Sequence, residues 1–409
     1  MKVQDTQDTF DASNSKDFSW RFWFPVPIYP FGRRRTIRRE IIRDTIWTFD
    51  QLQGIFYVVV PIRMTVIKLE AGGLLVYAPV APTPECLRLV NELVAQHGDV
   101  KYIILPTISG LEHKVFVGPF SRHFPQAQIF IAPNQWSFPI NLPVTWLGLP
   151  GKRTHILPDD SSQTPFVSEF DYAILGPINL KAGLFEEVAF FHKSSGTLLL
   201  TDSIVSIPEN PPPIIQLESY PLLFHAKDRT EEIVEDNQEN RDKGWKRICL
   251  FVMYFQPSVL DVPSWSEVFI KALKAPDKSN KAYFGLYPFK WQDNWESCFD
   301  ALRGNGRLFV APILQILILN RAPIETLNWA DKVASWNFQR MIPCHFDSPI
   351  ETQPDEFRQA FSFLEKNPSL NPRLLKGGYP LPTQDFKILK GIDNLLNKFN
   401  IVPPPKEKI

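Results

Sequence analysis

Cysteine is scarce: the 409 residues hold four, Cys86, Cys249, Cys298 and Cys344, with no C-x-x-C pair among them. That spacing argues against a disulfide framework and a cysteine-only zinc site, and makes a reducing compartment the default. No apolar run approaches the roughly 18 residues that span a bilayer. The first twenty residues carry Asp5, Asp8, Asp11 and Asp17 and lack an apolar signal core, so no secretory leader is expected. Neither sign of charge is in excess, since 44 Lys+Arg balance 44 Asp+Glu. This excludes nucleic-acid binding through bulk positive charge. Glycine occupies 19 positions, and none builds a G-x-S-x-G elbow, a G-x-x-x-x-G-K-S/T phosphate loop or a G-x-G-x-x-G turn. A soluble cytoplasmic protein is expected.

What the chain does have is proline and phenylalanine, 38 and 32 residues, which suggests many short elements with stiff connections. Hydrophobic residues at 44% suffice for a large core. Residues 1–18 are polar. Ser19-Trp20-Arg21-Phe22-Trp23-Phe24 and the basic run Arg33, Arg34, Arg35, Arg38, Arg39 and Arg43 follow. This reads as an N-terminal arm over residues 1–43. It either packs on the domain or rests on an anionic membrane surface through residues 20–39.

From Thr65 the pattern is α/β. Thr65–Glu70 alternates as a strand, Ala71-Gly72-Gly73 turns, and Leu74–Val80 is a second, apolar strand. Thr83 caps a helix with Pro84 at its first position, an apolar face of Leu87, Val90, Leu93 and Val94, His97 in its last turn and Gly98 beyond its end. Strands follow at Val100–Leu105, Gln128–Ala132, Asp171–Leu175 and Glu187–Phe191. A Ser194-Ser195-Gly196 turn leads into Thr197–Thr201. Pro208–Pro213 breaks regular structure, and Lys227–Lys243 reads as an exposed loop or short surface helix. Trp265, Val268, Phe269, Ala272 and Leu273 keep helical spacing, as do Trp291, Trp295, Cys298, Phe299 and Leu302, and Phe357, Phe361 and Leu364. These aromatic stripes are expected in the core. Arg340–Cys344 is a short strand ending at His345.

Seven histidines limit any metal site. Glu112-His113, Asp202 and His345 each lie at or soon after the end of an expected strand, where α/β folds gather polar ligands. Carboxylate with imidazole suits zinc, iron or manganese. Cys344 beside His345 suggests a nucleophile and base, but strand neighbours point to opposite faces, so a buried Cys344 is expected.

The stretch His97–Pro133, "HGDVKYIILPTISGLEHKVFVGPFSRHFPQAQIFIAP", resembles the signature region of the metallo-β-lactamase superfamily, in which a strand runs into H-x-H-x-D-H. "HKSSGTLLLTDSIV" resembles that family's hairpin before its bridging Asp, and "MIPCHFD" resembles the strand that delivers its last His. Wording such as "GGLLVYAPVAPTPEC" and "GLYPFKWQDNW" is similar to an uncharacterised branch found in photosynthetic bacteria and plants, known as a domain of unknown function. The resemblance covers roughly residues 65–350 and implies a four-layer α/β sandwich, αββα. That domain is expected over residues 44–395, with a Pro-rich, helical insertion at about 208–290 and a tail at 396–409.

Aligned on Thr107, the family's first two histidines become Ile108 and Gly110, its Asp becomes Glu112, and the last His of its motif is His113. A further family histidine falls at Leu184. The resemblance therefore implies a degenerate site: no three-histidine centre, and one metal at most. The ligands would be Glu112, His113, Asp202 and His345, with Asp202 or Glu112 taking a proton from water. The cofactor is one zinc, iron or manganese ion, or none. The expected function is a mononuclear-metal hydrolase of small acyl or ester substrates. The alternative is a non-catalytic binding or scaffold protein whose partner is a small molecule, a protein or a membrane surface. In plant relatives the expected compartment is the plastid stroma.

Overall fold

The computed structural model describes residues 16–20, 29–30, 32–55, 57–108, 112–135, 142–146, 148–368 and 381–409. Residues 21–24 of the aromatic arm and Gly110 lie outside them. A seven-stranded sheet runs in chain order: β1 (Ile37–Ile42), β2 (Ile46–Ile55), β3 (Val58–Lys68), β4 (Leu74–Tyr77), β5 (Val100–Leu105), β6 (Gln128–Ile131) and β7 (Thr154–Ile156). The first four strands are antiparallel and the rest pair in parallel. The switch falls at β4, whose four residues are all buried, as a strand covered on both faces requires. Gly72 and Gly73, with φ of 75° and 85°, make the turn before it. Thr83 accepts from the amide of Cys86 and starts α1 (Pro84–His97), and Gly98 ends it.

The second sheet begins with β8 (Phe170–Asn179), β9 (Leu184–His192) and β10 (Thr197–Leu200), all antiparallel. A separate ribbon joins β11 (Leu260–Asp261) to β12 (Lys290–Trp291). The chain then returns to pair β13 (Arg340–Pro343) in parallel with β10, and β14 (Ile350–Glu351) with β13. Among the described residues ten α-helices follow α1: α2 (His113–Ser121), α3 (Pro213–Gln216), α4 (Tyr220–Ala226), α5 (Gln238–Tyr254), α6 (Trp265–Ala272), α7 (Trp295–Arg303), α8 (Pro312–Leu317), α9 (Pro323–Ala334), α10 (Pro354–Gln359) and α11 (Lys387–Lys398).

Three apolar clusters define the layers. Leu89, Leu93, Phe116 and Phe120 of α1 and α2 pack on the outer face of the first sheet, against Met64, Val76 and Ile103. Ile67, Leu75 and Ile104 of the first sheet meet Tyr172, Phe190 and Leu199 of the second. Beyond the second sheet, Leu175, Leu198 and Met341 pack under Trp245, Trp329 and Phe357. Each such side chain contributes about 1.5–3 kcal/mol on burial. The order is αββα, the metallo-β-lactamase-like sandwich that the resemblance implies.

Several elements depart from the expected pattern. β1 and β2 extend the first sheet through a stretch rich in charge. β1 is an edge strand, where charged side chains stay wet. Four arginines there are tied to the domain: Arg34 donates to the Leu52 carbonyl, Arg35 and Arg38 pair with Glu85 and Glu92, and Arg39 pairs with Asp50. The charged stretch after Lys227 runs into α5, whose Trp245, Ile248, Cys249 and Met253 are buried. α6 reverses the core expectation for its stripe: Val268 and Ala272 are buried, whereas Trp265, Phe269 and Leu273 are exposed. No helix among the described residues is long and apolar enough to cross a membrane.

Candidate metal centre

Three strand ends converge over one rim of the second sheet. β10 and β13 are parallel neighbours with Leu200 opposite Pro343, so Asp202 and His345 leave the sheet side by side. After β5 the chain crosses between the sheets, where Thr107 bridges Glu187 and the Val188 amide donates to Pro106 across 2.8 Å. That crossing carries Glu112, immediately before α2, to the same rim.

His345 Nε2 lies 3.0 Å from Asp202 Oδ1 and 3.1 Å from Glu112 Oε2. One donor atom from each of the three residues lies within 4.8 Å of the others. The other ring nitrogen, Nδ1, is 2.9 Å from the carbonyl of Pro61 on β3. A carbonyl only accepts, so Nδ1 carries the proton and Nε2 faces two carboxylates. That encounter is favourable only with a positive species between them, either a proton or a metal ion. Burial would raise the Glu112 carboxyl, but the charge and hydrogen bond of His345 override it and hold it at about 2. Burial likewise opposes the His345 imidazolium, and Glu112 and Asp202 together raise it well above its ordinary value.

His113 is buried one residue beyond Glu112 but lies outside this group of three. Its Nδ1 is 3.1 Å from the Pro79 carbonyl and therefore donates, while its Nε2 has no hydrogen-bond partner among the described residues. Burial lowers its pKa, which favours the neutral ring.

Two buried charged residues hold the turns that carry Asp202 and His345. Glu187 of β9 accepts from the amides of Thr201, Asp202 and Ser203 at 2.7, 3.2 and 2.8 Å. It thereby fixes the turn that presents Asp202. Arg63 of β3 donates to the carbonyls of Pro343 and Phe346, on either side of His345, and pairs with Asp50 at 2.7 Å. Sequence reasoning missed Pro61, Arg63 and Glu187. The available signal was a charge inside an otherwise apolar strand, which is retained only when paired or hydrogen-bonded.

The three residues line a cavity of about 430 Å³ whose wall includes Ile108 and Leu184. Val60, Glu112, Val252 and Ile313 also line a second, neighbouring cavity of about 900 Å³. Cys344 points away from this site into the layer between the sheets, where burial raises its thiol well above the ordinary range. His97 stacks on Trp47, and His192 is hydrogen-bonded to Ser195 at 2.7 Å.

A family model described as domain of unknown function DUF4336 matches residues 43–363. No curated protein sequence matches the chain. Among solved structures, a metallo-beta-lactamase from Pontibacter korlensis is 11% identical, with 43% of this chain and 76% of that one covered and a TM-score of 0.31. A variant flavo di-iron protein from Thermotoga maritima is 9% identical, with 80% and 61% covered and a TM-score of 0.41. The metal-soaked Flv1 flavodiiron core from Synechocystis sp. PCC6803 is 10% identical, with 80% and 60% covered and a TM-score of 0.38.

Proposed function

The chain belongs to the DUF4336 family, a domain of unknown function, and we propose that it is a mononuclear-metal hydrolase of acyl or ester substrates. Glu112, Asp202 and His345 would hold the ion. The observation that carries this reading is the proton committed from His345 Nδ1 to Pro61, which leaves Nε2 aimed at two carboxylate oxygens. A metal-bound histidine is commonly held this way, through its second nitrogen. Two carboxylates with one imidazole suit zinc, iron or manganese, and three protein ligands leave a position open for a reactant.

When bound, such an ion supplies Lewis acidity that polarises an ester carbonyl. The rest is work for the chain itself. Glu112 lines both cavities, and Asp202 lines the smaller one only. Either carboxylate can take a proton from an attacking water. Ile108, Leu184 and Phe346 line the smaller cavity with apolar surface, which limits water around the reacting group.

One observation favours the alternative, a ligand-binding protein without catalysis. An imidazolium at His345 satisfies both carboxylates with no ion at all. Elemental analysis separates the two readings. About one equivalent of zinc, iron or manganese, lost in an Asp202→Asn/His345→Ala variant, supports the metal centre. No metal after reconstitution overturns it and leaves the binding reading.

A further inference from the structure

The larger cavity is almost entirely apolar. Phe224, Phe251, Leu286 and Phe289 are among the residues that line it, and Glu112 is the one charged residue among the described residues of its wall. At about 900 Å³ it stands at the upper end of the range for single-ligand pockets. Phe255, Val262 and Trp265 both line it and reach solvent, which places its mouth beside α6.

Around that mouth the surface is unusually apolar. Trp265, Phe269 and Leu273 follow one another at four-residue spacing and are 62%, 57% and 75% exposed. Phe284, in the turn beyond α6, is 67% exposed. Packing does not account for this stripe, because α6 buries its other face through Val268 and Ala272. The same segment is basic within a chain of zero net charge: Lys271, Lys274, Lys278, Lys281 and Lys290 stand against Glu267 and Asp277. Glu267 is already paired with Lys271 at 2.7 Å, and Lys274, Lys278 and Lys290 are exposed. Aromatic and aliphatic side chains edged by lysines are how a short helix rests in the interfacial plane of an anionic bilayer.

We propose that α6 and the turn carrying Phe284 seat the mouth of this cavity on an anionic lipid surface, from which an acyl chain enters toward Glu112. The docking surface depends on the exposed residues alone and not on the metal. The delivery of an acyl chain to Glu112 rests on the proposed hydrolase.

The experiment is flotation of the full chain with phosphatidylcholine vesicles, with and without phosphatidylglycerol. The intact chain floats with the anionic vesicles and less so as salt rises. A Trp265→Ser/Phe269→Ser/Leu273→Ser variant, altered only at exposed positions, loses binding at least about tenfold. Charge reversal at Lys274→Glu/Lys278→Glu weakens it about fivefold or more per lysine. A His345→Ala variant floats like the intact chain, so loss of the metal reading leaves this result standing. Absence of flotation by the intact chain, or unchanged flotation of the serine variant, overturns the proposal. So does a concentration-dependent dimer that the serine variant abolishes, since the stripe would then belong to a second copy.

Discussion

His345 donates its Nδ1 proton to the carbonyl of Pro61 across 2.9 Å, joining the turn after β13 to β3 of the opposite sheet. Two residues along β3, Arg63 grips the carbonyls flanking that histidine. The imidazole is thus oriented by backbone it does not share, and its Nε2 is set before any ligand arrives. His113 repeats the device with the Pro79 carbonyl at 3.1 Å. In each case the carbonyl fixes which ring nitrogen is free, and only at His345 does that nitrogen face carboxylates.

The first prediction concerns that cation. Manganese or zinc at about 100 times its Kd should raise the unfolding free energy by about 2.7 kcal/mol, because the ion binds only the folded chain. Thermal denaturation with and without a chelator reads this directly. Asp202→Asn removes one anionic oxygen from the group and should abolish the metal-dependent rise in Tm. A rise that persists in that variant would place the ion elsewhere.

Glu187 should matter without touching a ligand. Its carboxylate accepts three amides and the Ser203 hydroxyl, and Glu187→Gln turns one acceptor into an NH₂ group facing donors. The cost should be about 1–3 kcal/mol of stability and about 10–100-fold in metal affinity. Calorimetric metal titration tests the second figure. An unchanged affinity would show that the Thr201–Ser203 turn holds its shape unaided.

Much of this was legible in the chain, and the exceptions share a cause. Thr83, Pro84 and Gly98 announced α1 because caps are local chemistry. Glu112, Asp202 and His345 were singled out because each lies at or soon after the end of an apolar strand, and the structure brings these three to one rim. β1, β2 and α5 were missed because their polar residues are satisfied over long sequence separations. Gln51 donates to the carbonyl of Ala81, and Arg247 is held by Asp228 and stacked on Trp295. Spacing cannot reveal a partner that tertiary packing supplies. The same limit explains α6, whose stripe has core periodicity but no neighbour to cover it.

Acid should weaken the fold through His225. It is buried in α4 against Phe224 and Phe289, and burial lowers its pKa from 6.5 to about 3. Between those values the unfolded chain binds a proton that the folded chain refuses, so stability falls as pH drops through the window. Two pH units below 6.5 the loss is about 2.7 kcal/mol. His225→Phe lacks this proton. Urea unfolding at about pH 7.5 and about pH 4.5 should show a smaller difference in the variant than in the parent. His192, also lowered by burial, to about 4, is common to both proteins and cancels. Equal acid sensitivity would clear His225.

The wall shared by the two cavities allows ligand access to be tested apart from metal binding. Val252 of α5 lines both, as do Glu112, Val60 and Ile313. It is partly buried and faces open volume, so a larger side chain there can fill space before it strains the core. Val252→Trp should therefore leave metal content and Tm close to those of the parent while filling part of the larger cavity. If an acyl chain occupies the larger cavity with its polar end at Glu112, long-chain esters should lose at least about tenfold in kcat/KM and short-chain esters little. Acetyl and palmitoyl nitrophenyl esters, assayed on metal-loaded protein, make that comparison. Equal losses on both would mean that the tryptophan disturbs the centre itself. No loss on either would mean that substrate reaches Asp202 and His345 by another way, and the apolar cavity would then be independent of the chemistry.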